Sequence, residues 1–117
     1  MNKLKPSRGE IWFANLNPIV GHEQSKSRPC LIISVNQFNY GPAELVVILP
    51  MTTKNKNLPW YVEINPPEGG IKLKSFIICD QVRTISKKRL IDKSLGIIHQ
   101  KTLYQIEKRL EILLGLN

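Results

Sequence analysis

Cysteine, histidine and long apolar segments are all scarce in this sequence. The chain has two Cys and two His in 117 residues, and their spacing does not resemble a zinc site, so we expect no bound metal. Cys30 and Cys79 each lie within an apolar segment, which predicts reduced core thiols rather than a disulfide. No apolar run approaches the roughly 20 residues of a membrane-spanning helix, and the start lacks a secretory signal. We therefore expect a cytoplasmic protein with no membrane contact.

Acidic residues are also few. The chain has 17 Lys and Arg residues and nine Asp and Glu residues, which gives a formal net charge of +8. This balance predicts a polyanionic partner, either nucleic acid or an acidic protein. Hydrophobic residues make up 42% of the chain, as in ordinary globular proteins. At this length we expect one domain over residues 1–117, built around a single hydrophobic core.

Short segments rich in Ile, Val and aromatic residues predict five or six strands. They are Glu10–Leu16, Cys30–Val35, Leu45–Leu49, Trp60–Ile64, Phe76–Cys79 and Val82–Ile85. The third is continuously apolar, which indicates a central strand buried on both faces. Strands do not alternate with helices along the chain, so the sheet is expected to be antiparallel.

The apolar period changes near the C-terminus. Leucines and isoleucines recur there at steps of three and four, and Gly115 follows, which predicts an amphipathic helix over Lys101–Leu114. A shorter helix is expected over Lys87–Asp92 with Ser86 as its N-cap, followed by an edge strand at Leu95–Ile98. Together these predicted elements indicate a mainly β fold, a small curved antiparallel barrel with one C-terminal helix packed against it.

Three polar clusters adjoin the predicted strands, within residues 17–29, 50–54 and 79–84. Clusters at strand ends can converge at one rim of a barrel. The first cluster brings His22, Glu23, Lys26 and Arg28 into one Gly-, Ser- and Pro-containing loop. Polar residues in such a turn are most often only solvated, so this loop alone does not establish catalysis. The basic residues of these loops form either one surface or dispersed solubilising charges.

Six short motifs occur in the order and spacing of one known family. They are Gly9-Glu10-Ile11-Trp12, Asn17-Pro18, Gly21-His22-Glu23-Gln24, Arg28-Pro29, Pro50-Met51-Thr52-Thr53 and Asp80-Gln81-Val82-Arg83-Thr84-Ile85. From about Arg8 to Leu116 the chain resembles the MazF/PemK/Kid-type toxins of type II toxin-antitoxin systems. The resemblance implies an SH3-like barrel of the PemK/MazF/CcdB kind and a homodimer. It also implies cleavage of single-stranded RNA at short sequences without metal or cofactor, and neutralisation by an antitoxin with an acidic, disordered C-terminal segment.

The resemblance also implies roles for individual residues. Arg28 and Thr52 match the principal catalytic arginine and threonine of the family, and Glu23 matches a glutamate in the same loop as Arg28. His22 resembles the histidine of the PemK/Kid branch, and Asp80 resembles an aspartate proposed there as a base. Ile78 stands where that branch has its proposed acid, an arginine. The Kid-type acid and base pair is therefore incomplete in this sequence.

The chemistry of these residue types agrees with RNA cleavage by attack of the 2′-hydroxyl, which yields a 2′,3′-cyclic phosphate and a 5′-hydroxyl. The guanidinium of Arg28 offers paired donors to a phosphate and stays charged. The hydroxyl of Thr52 can donate a further hydrogen bond to the same group. The general base is Glu23, His22 or Asp80, and the sequence leaves the choice open. Further RNA contacts are predicted for Gln24, Lys26, Thr53, Lys54 and Gln81.

The same residues allow several alternative roles. Thr52 can instead tie down a turn, His22 can contact a base or the antitoxin, and Asp80 can form a structural ion pair with Arg83. At the level of function, the alternatives are a CcdB-like topoisomerase poison without enzymatic activity and a basic SH3-like module that binds nucleic acid without cleaving it. Base selectivity is expected to depend on the loops at residues 38–44, 54–59 and 66–74.

Overall fold

The computed structural model describes residues 5–17, 21 and 27–116. This part of the chain forms seven strands, two α-helices and two short 3₁₀ turns. The strands are β1 Glu10–Asn15, β2 Ser27–Ile32, β3 Leu45–Thr52, β4 Tyr61–Ile64, β5 Ser75–Ile78, β6 Arg83–Ser86 and β7 Leu90–Ile97. The helices are α1 Asn36–Asn39 and α2 Gln100–Leu114, and the 3₁₀ turns are Glu68–Gly70 and Lys87–Arg89.

All strand pairs are antiparallel, and β3 is the central strand of the sheet. The main order is β4-β5-β3-β2-β1-β7, with β6 paired to β3 outside this path. The first half of β3 pairs with β6 and its last two residues pair with β5. Its other edge pairs with β2. Within the described residues β4 and β7 end the path without pairing to each other, so the curved sheet stays open.

Two hydrophobic clusters occupy the two faces of this sheet, because successive side chains of a strand point to opposite sides. On β1, Ile11 belongs to one cluster, whereas Trp12 and Ala14 belong to the other. On β3, Val46 and Ile48 lie in the second cluster and Leu49 and Met51 in the first. The expectation of a single core is therefore wrong, and β3 is buried on both faces as its continuous apolar sequence predicts.

Helix α2 covers the first cluster with an apolar stripe. Ile106 is fully buried, and Leu103 and Leu110 pack against the cluster. The helix ends where Gly115 adopts the left-handed conformation with φ 68°. The amides of Gly115 and Leu116 then donate to the carbonyls of Ile112 and Glu111, which satisfies two acceptors of the last turn.

The Glu68–Gly70 turn contacts both the start of α2 and strand β7. Glu68 accepts hydrogen bonds from the amide of His99 at 3.0 Å and from the hydroxyl of Thr102 at 2.5 Å, so its carboxylate caps the helix. Gly70 lies so close to β7 that a Cβ atom there would stand 1.8 Å from the carbonyl oxygen of Leu95. The turn and the strand therefore meet backbone to backbone.

The mainly β fold with a C-terminal helix is confirmed, whereas some element boundaries differ from those predicted. Strand β2 begins at Ser27 rather than Cys30, because β1 pairs with Ser27, Arg28 and Pro29 in continuous register. The predicted Lys87–Asp92 helix is only a 3₁₀ turn at Lys87–Arg89, although Ser86 caps it as expected. The chain then extends as β7, which is longer than the predicted edge strand. Helix α1 was not predicted.

Candidate active site

A groove of about 260 Å³ lies where β2, β3 and β5 meet. Its walls are Ser27, Arg28, Pro29, Met51, Thr52, Thr53 and Ser75. The first and second predicted polar clusters therefore do converge, through the end of β3 and the start of β2. The groove contains both the arginine and the threonine that the sequence singles out.

Strand register explains why these two residues meet. In the β2–β3 ladder Cys30 is opposite Pro50 and Leu31 is opposite Leu49. The ladder ends at the Cys30–Pro50 pair, and Arg28 and Thr52 each lie two residues beyond it, at the start of β2 and the end of β3. Arg28 is fixed by β1, because it pairs with Ala14. A paired strand position holds the guanidinium stem more firmly than the predicted loop position would.

The hydroxyl of Thr52 has a defined partner on its acceptor side. Thr52 is only 8% exposed, and its Oγ1 accepts a hydrogen bond from the backbone amide of Lys54 at 3.1 Å. The turn-forming role considered from the sequence is therefore present. Because this bond uses an oxygen lone pair, the hydroxyl hydrogen is available to donate to a group in the groove.

Two guanidinium groups act on the thiol beside the groove. Burial raises the pKa of Cys30 to about 12, and the positive charges of Arg83 and Arg28 oppose this rise. The thiol therefore stays protonated at neutral pH and is not a nucleophile. Arg83 donates from Nη1 to the carbonyl of Leu16 at 2.9 Å, rather than pairing with Asp80.

Asp80 lies away from this groove within one chain. It is exposed in the turn after β5, at the opposite end of that strand from Ser75. Its charge contributes to the raised pKa values of Tyr61 and Cys79, for which burial is the larger cause. Gln81 follows in the same turn, and its amide donates to the carbonyl of Ile78 at 3.4 Å. The third polar cluster therefore does not join the other two within the chain.

The other predicted site residues have different outcomes. Thr53 lines the groove, and Lys54 follows it as an exposed residue. His22, Glu23, Gln24 and Lys26 lie outside the described residues. The backbone that leads to them is anchored by arginines, since Arg89 donates to the carbonyls of Asn15 and Asn17 in addition to the Arg83 contact with Leu16.

Sequence reasoning missed part of the groove wall. Ser27 and Ser75 both line it, and neither stands out in a sequence where serine is common in turns. The signal that identifies them is strand position, because Ser27 precedes Arg28 on β2 and Ser75 precedes Phe76, which pairs with Thr52. These pairings bring distant segments to one place, which local patterns do not encode.

The described ranges contain no group of three or more His, Cys, Asp and Glu side chains that could hold a metal ion. In the same part of the chain, no helix is both long and apolar enough to cross a membrane. The groove itself offers cationic and hydroxyl groups, which suit an anionic ligand rather than a cation.

Comparison with known proteins gives consistent results. The Endoribonuclease EndoA of Bacillus subtilis is 34% identical over 110 residues, which cover 93% of this chain and 94% of that protein. The structure of MazF from Deinococcus radiodurans superposes with a TM-score of 0.85 at 26% identity, and covers 97% of this chain and 99% of its own. A mycobacterial endoribonuclease in complex with its cognate antitoxin gives a TM-score of 0.76 at 28% identity, with 96% of this chain and 97% of that chain covered.

A family model also matches nearly the whole chain. It describes the PemK-like, MazF-like toxins of type II toxin-antitoxin systems, and it spans residues 7–114. The fold and the similarity to relatives over nearly the whole chain agree with this match. This chain is therefore a member of the PemK-like, MazF-like family of type II toxin-antitoxin toxins.

Proposed function

We propose that this protein is a toxin endoribonuclease that cleaves single-stranded RNA at short sequences and is neutralised by a cognate antitoxin. The observation that carries the proposal is the convergence of Arg28 and Thr52 in one groove. The groove has the groups needed to bind a phosphate. The similarity to named endoribonucleases supports RNA as the molecule that carries this phosphate. The same similarity favours this function over a topoisomerase poison or a passive binding module.

The proposed mechanism assigns phosphate binding to Arg28 and Thr52. The 2′-hydroxyl of the RNA attacks the adjacent phosphorus, and the bond to the 5′-oxygen of the next nucleotide breaks. Arg28 stabilises the negative charge of the phosphorane, because its guanidinium offers paired donors and stays protonated. Thr52 donates its hydroxyl hydrogen to a phosphate oxygen. The products are a 2′,3′-cyclic phosphate and a 5′-hydroxyl.

The proton of the attacking hydroxyl needs a base. Glu23 and His22 are our candidates, because the predicted loop that carries them leads directly into Arg28 on β2. Asp80 is a weaker candidate, since it lies at the far end of β5 from the groove. A role for Asp80 would require a second subunit to bring it to the groove.

The remaining features of the proposal concern the assembly. We propose that residues 1–117 act as one toxin domain in the cytoplasm and that the active form is a homodimer. The antitoxin is expected to bind through an acidic, disordered segment, because the chain carries a net charge of +8. Gln24, Lys26, Thr53, Lys54 and Gln81 remain proposed RNA contacts.

Cleavage in the presence of EDTA tests the proposal. We expect the parent protein to cut single-stranded RNA without added metal, and Arg28→Ala to reduce the rate at least about a hundredfold, since a charge-stabilising donor is lost. Arg109→Ala is the matched control, because Arg109 is half-buried like Arg28 but lies on α2, where it donates to the carbonyl of Pro59 at 2.8 Å. Denaturing gels with end-labelled RNA give the rates and identify the cyclic phosphate.

Two results would contradict the proposal. One is an inactive parent protein on a broad set of single-stranded RNAs, and the other is undiminished cleavage by Arg28→Ala. A substrate with one 2′-deoxy sugar at the scissile position separates the mechanism from the activity. Cutting of that substrate would exclude attack by the 2′-hydroxyl while leaving nuclease activity in place.

A further inference from the structure

Two arginines bind the backbone at the point where β1 ends. Arg83 of β6 donates from Nη1 to the carbonyl of Leu16 at 2.9 Å. Arg89, in the turn before β7, donates from Nη1 to the carbonyls of Asn15 and Asn17, to the first of these at 3.0 Å. Three consecutive carbonyls therefore accept charge-assisted hydrogen bonds from two other segments of the chain.

This stretch of backbone, residues 15–17, lies across from the start of β2. Asn15 pairs with Ser27, and the pair before it joins Ala14 to Arg28. Asn15–Ser27 is the last pair of the β1–β2 ladder, so Arg28 lies one pair from the end of the ladder. An opening of that last pair would release the backbone next to Arg28.

The length of the connection between the two strands explains why a constraint is needed there. The connection spans residues 16–26, and a segment of that length does not define strand register as a two-residue turn does. Pairs at the end of a ladder also open more readily than central pairs. The hydrogen bonds from the two arginines supply the constraint that a tight turn would otherwise provide.

Arg83 points to the same face of the sheet as Arg28. Arg83 pairs with Ile48 of β3, a residue of the second core cluster, and paired side chains lie on the same side. Cys30 belongs to that cluster as well, so Arg28, two positions earlier on β2, also faces this side. Leu16 is a further member of the cluster. Arg83 therefore reaches Leu16 across the face on which Arg28 lies.

The two arginines are not part of the phosphate groove. Neither of them is among the residues that line it with Arg28 and Thr52. Both side chains are half-buried, and their Nη1 atoms donate to backbone carbonyls. A side chain that binds backbone outside the groove acts on the reaction through another residue.

We propose that Arg83 and Arg89 are positioning residues for RNA cleavage. By binding the carbonyls of residues 15–17 they keep the last β1–β2 pair closed, and this holds Arg28 where its guanidinium can bind the scissile phosphate. The inference rests on the proposed function. It adds to the reaction two residues that do not touch the substrate.

A double-mutant cycle on single-stranded RNA tests the inference. Arg83→Ala and Arg89→Ala should each lower kcat about tenfold, because a misplaced charge-stabilising group loses much of its effect. The same changes made in Arg28→Ala should have no further effect, because the group that they position is already absent. Single-turnover cleavage with excess protein, in the presence of EDTA, measures all of these rates.

Amide hydrogen exchange gives a readout that does not depend on cleavage. In Arg89→Ala the amides of residues 13–17 and 27–30 should exchange faster than in the parent, while those of β4 and β5, at the other end of the sheet, stay unchanged. A uniform rise over the whole sheet would overturn the local role. Because Arg89 lies in a 3₁₀ turn and not in a strand, this variant keeps the test decisive if Arg83→Ala fails to fold.

Arg8→Ala is the matched control. Arg8 is a half-buried arginine whose Nε donates to the carbonyl of Ile33 at 2.9 Å, just beyond the other end of β2. It also forms an ion pair with Glu107 at 2.8 Å. Its loss should therefore lower stability without moving Arg28, and kcat should equal that of the parent. An equal loss of kcat in this control would assign the effect to stability and contradict the inference.

The outcomes separate the two proposals. If the parent cleaves RNA and Arg83→Ala and Arg89→Ala cleave it equally fast, the positioning role is wrong and the nuclease proposal stands. If these changes lower the rate as much in Arg28→Ala as in the parent, the two arginines do not act through Arg28 and the inference is overturned. A parent that cuts no RNA overturns both proposals.

Discussion

At the scale of single residues, the hydroxyl of Thr52 provides a selective test of the site. Thr52→Val keeps the shape of the side chain but removes the hydroxyl, so it should lower kcat about a hundredfold. Thr52→Ser retains both the acceptor for the Lys54 amide and the donor, and it should stay within a few-fold of the parent. Single-turnover cleavage rates measure both variants. Equal rates for valine and serine would contradict a role of the Thr52 hydroxyl in cleavage.

Residue identities were predictable from the sequence where a motif carries them, and Arg28 and Thr52 are the examples. Their meeting depends on the β2–β3 register, which pairs residues about twenty positions apart. Arg83 shows what local patterns do not reveal. Its guanidinium reaches from β6 to the carbonyl of Leu16, beyond the end of β1, because the sheet brings these strands together. From the sequence alone Arg83 was only a candidate partner for Asp80.

At the scale of secondary structure, the cap that Glu68 provides for α2 is a second test. Glu68→Ala should lower the free energy of unfolding by about 1–2 kcal/mol, because the amide of His99 and the hydroxyl of Thr102 lose their acceptor at the helix N-terminus. Urea denaturation measures the change. Glu111→Ala is the control, since Glu111 near the other end of α2 forms only a 3.5 Å surface ion pair with Lys108. A loss as large in the control would contradict the capping role.

The elements themselves differ in how far the sequence defines them. Helix α2 was predicted within one residue at its start, because its apolar period and Gly115 are local signals. Strand β2 begins and ends three residues before the predicted Cys30–Val35, because Arg28 and Pro29 are poor strand residues in isolation and pair only through β1. The Lys87–Arg89 turn does not continue as a helix, because Leu90 belongs to β7 and pairs with Ala14. Long-range pairing overrides local preference in both cases.

At the scale of the whole molecule, two buried thiols make the free energy of unfolding depend on pH in the alkaline range. Burial raises the pKa of Cys30 and of Cys79 from the ordinary 9.0 to about 12. Between those values the unfolded chain releases protons that the folded protein keeps, so the free energy of unfolding falls as the pH rises. The slope is up to about 1.4 kcal/mol per pH unit for each thiol.

Replacement of both cysteines measures this contribution. The Cys30→Ala/Cys79→Ala variant should be less stable at pH 7, because two buried groups are truncated, but it should lose stability less steeply above pH 9. Urea denaturation at several pH values under reducing conditions gives both slopes. Parallel curves for parent and variant would show that the thiols do not titrate during unfolding.

The two core clusters have a consequence for the lifetime of the protein in a cell. Strands β1, β2 and β3 each supply alternate side chains to both clusters, for example Leu31 to one and Cys30 to the other. Neither cluster can therefore open while the other stays intact, and the central strands must separate in one cooperative step. Proteases that need an extended segment of those strands must wait for global unfolding. Degradation within them should thus follow total stability, while an exposed segment such as residues 53–59 is cut independently of it.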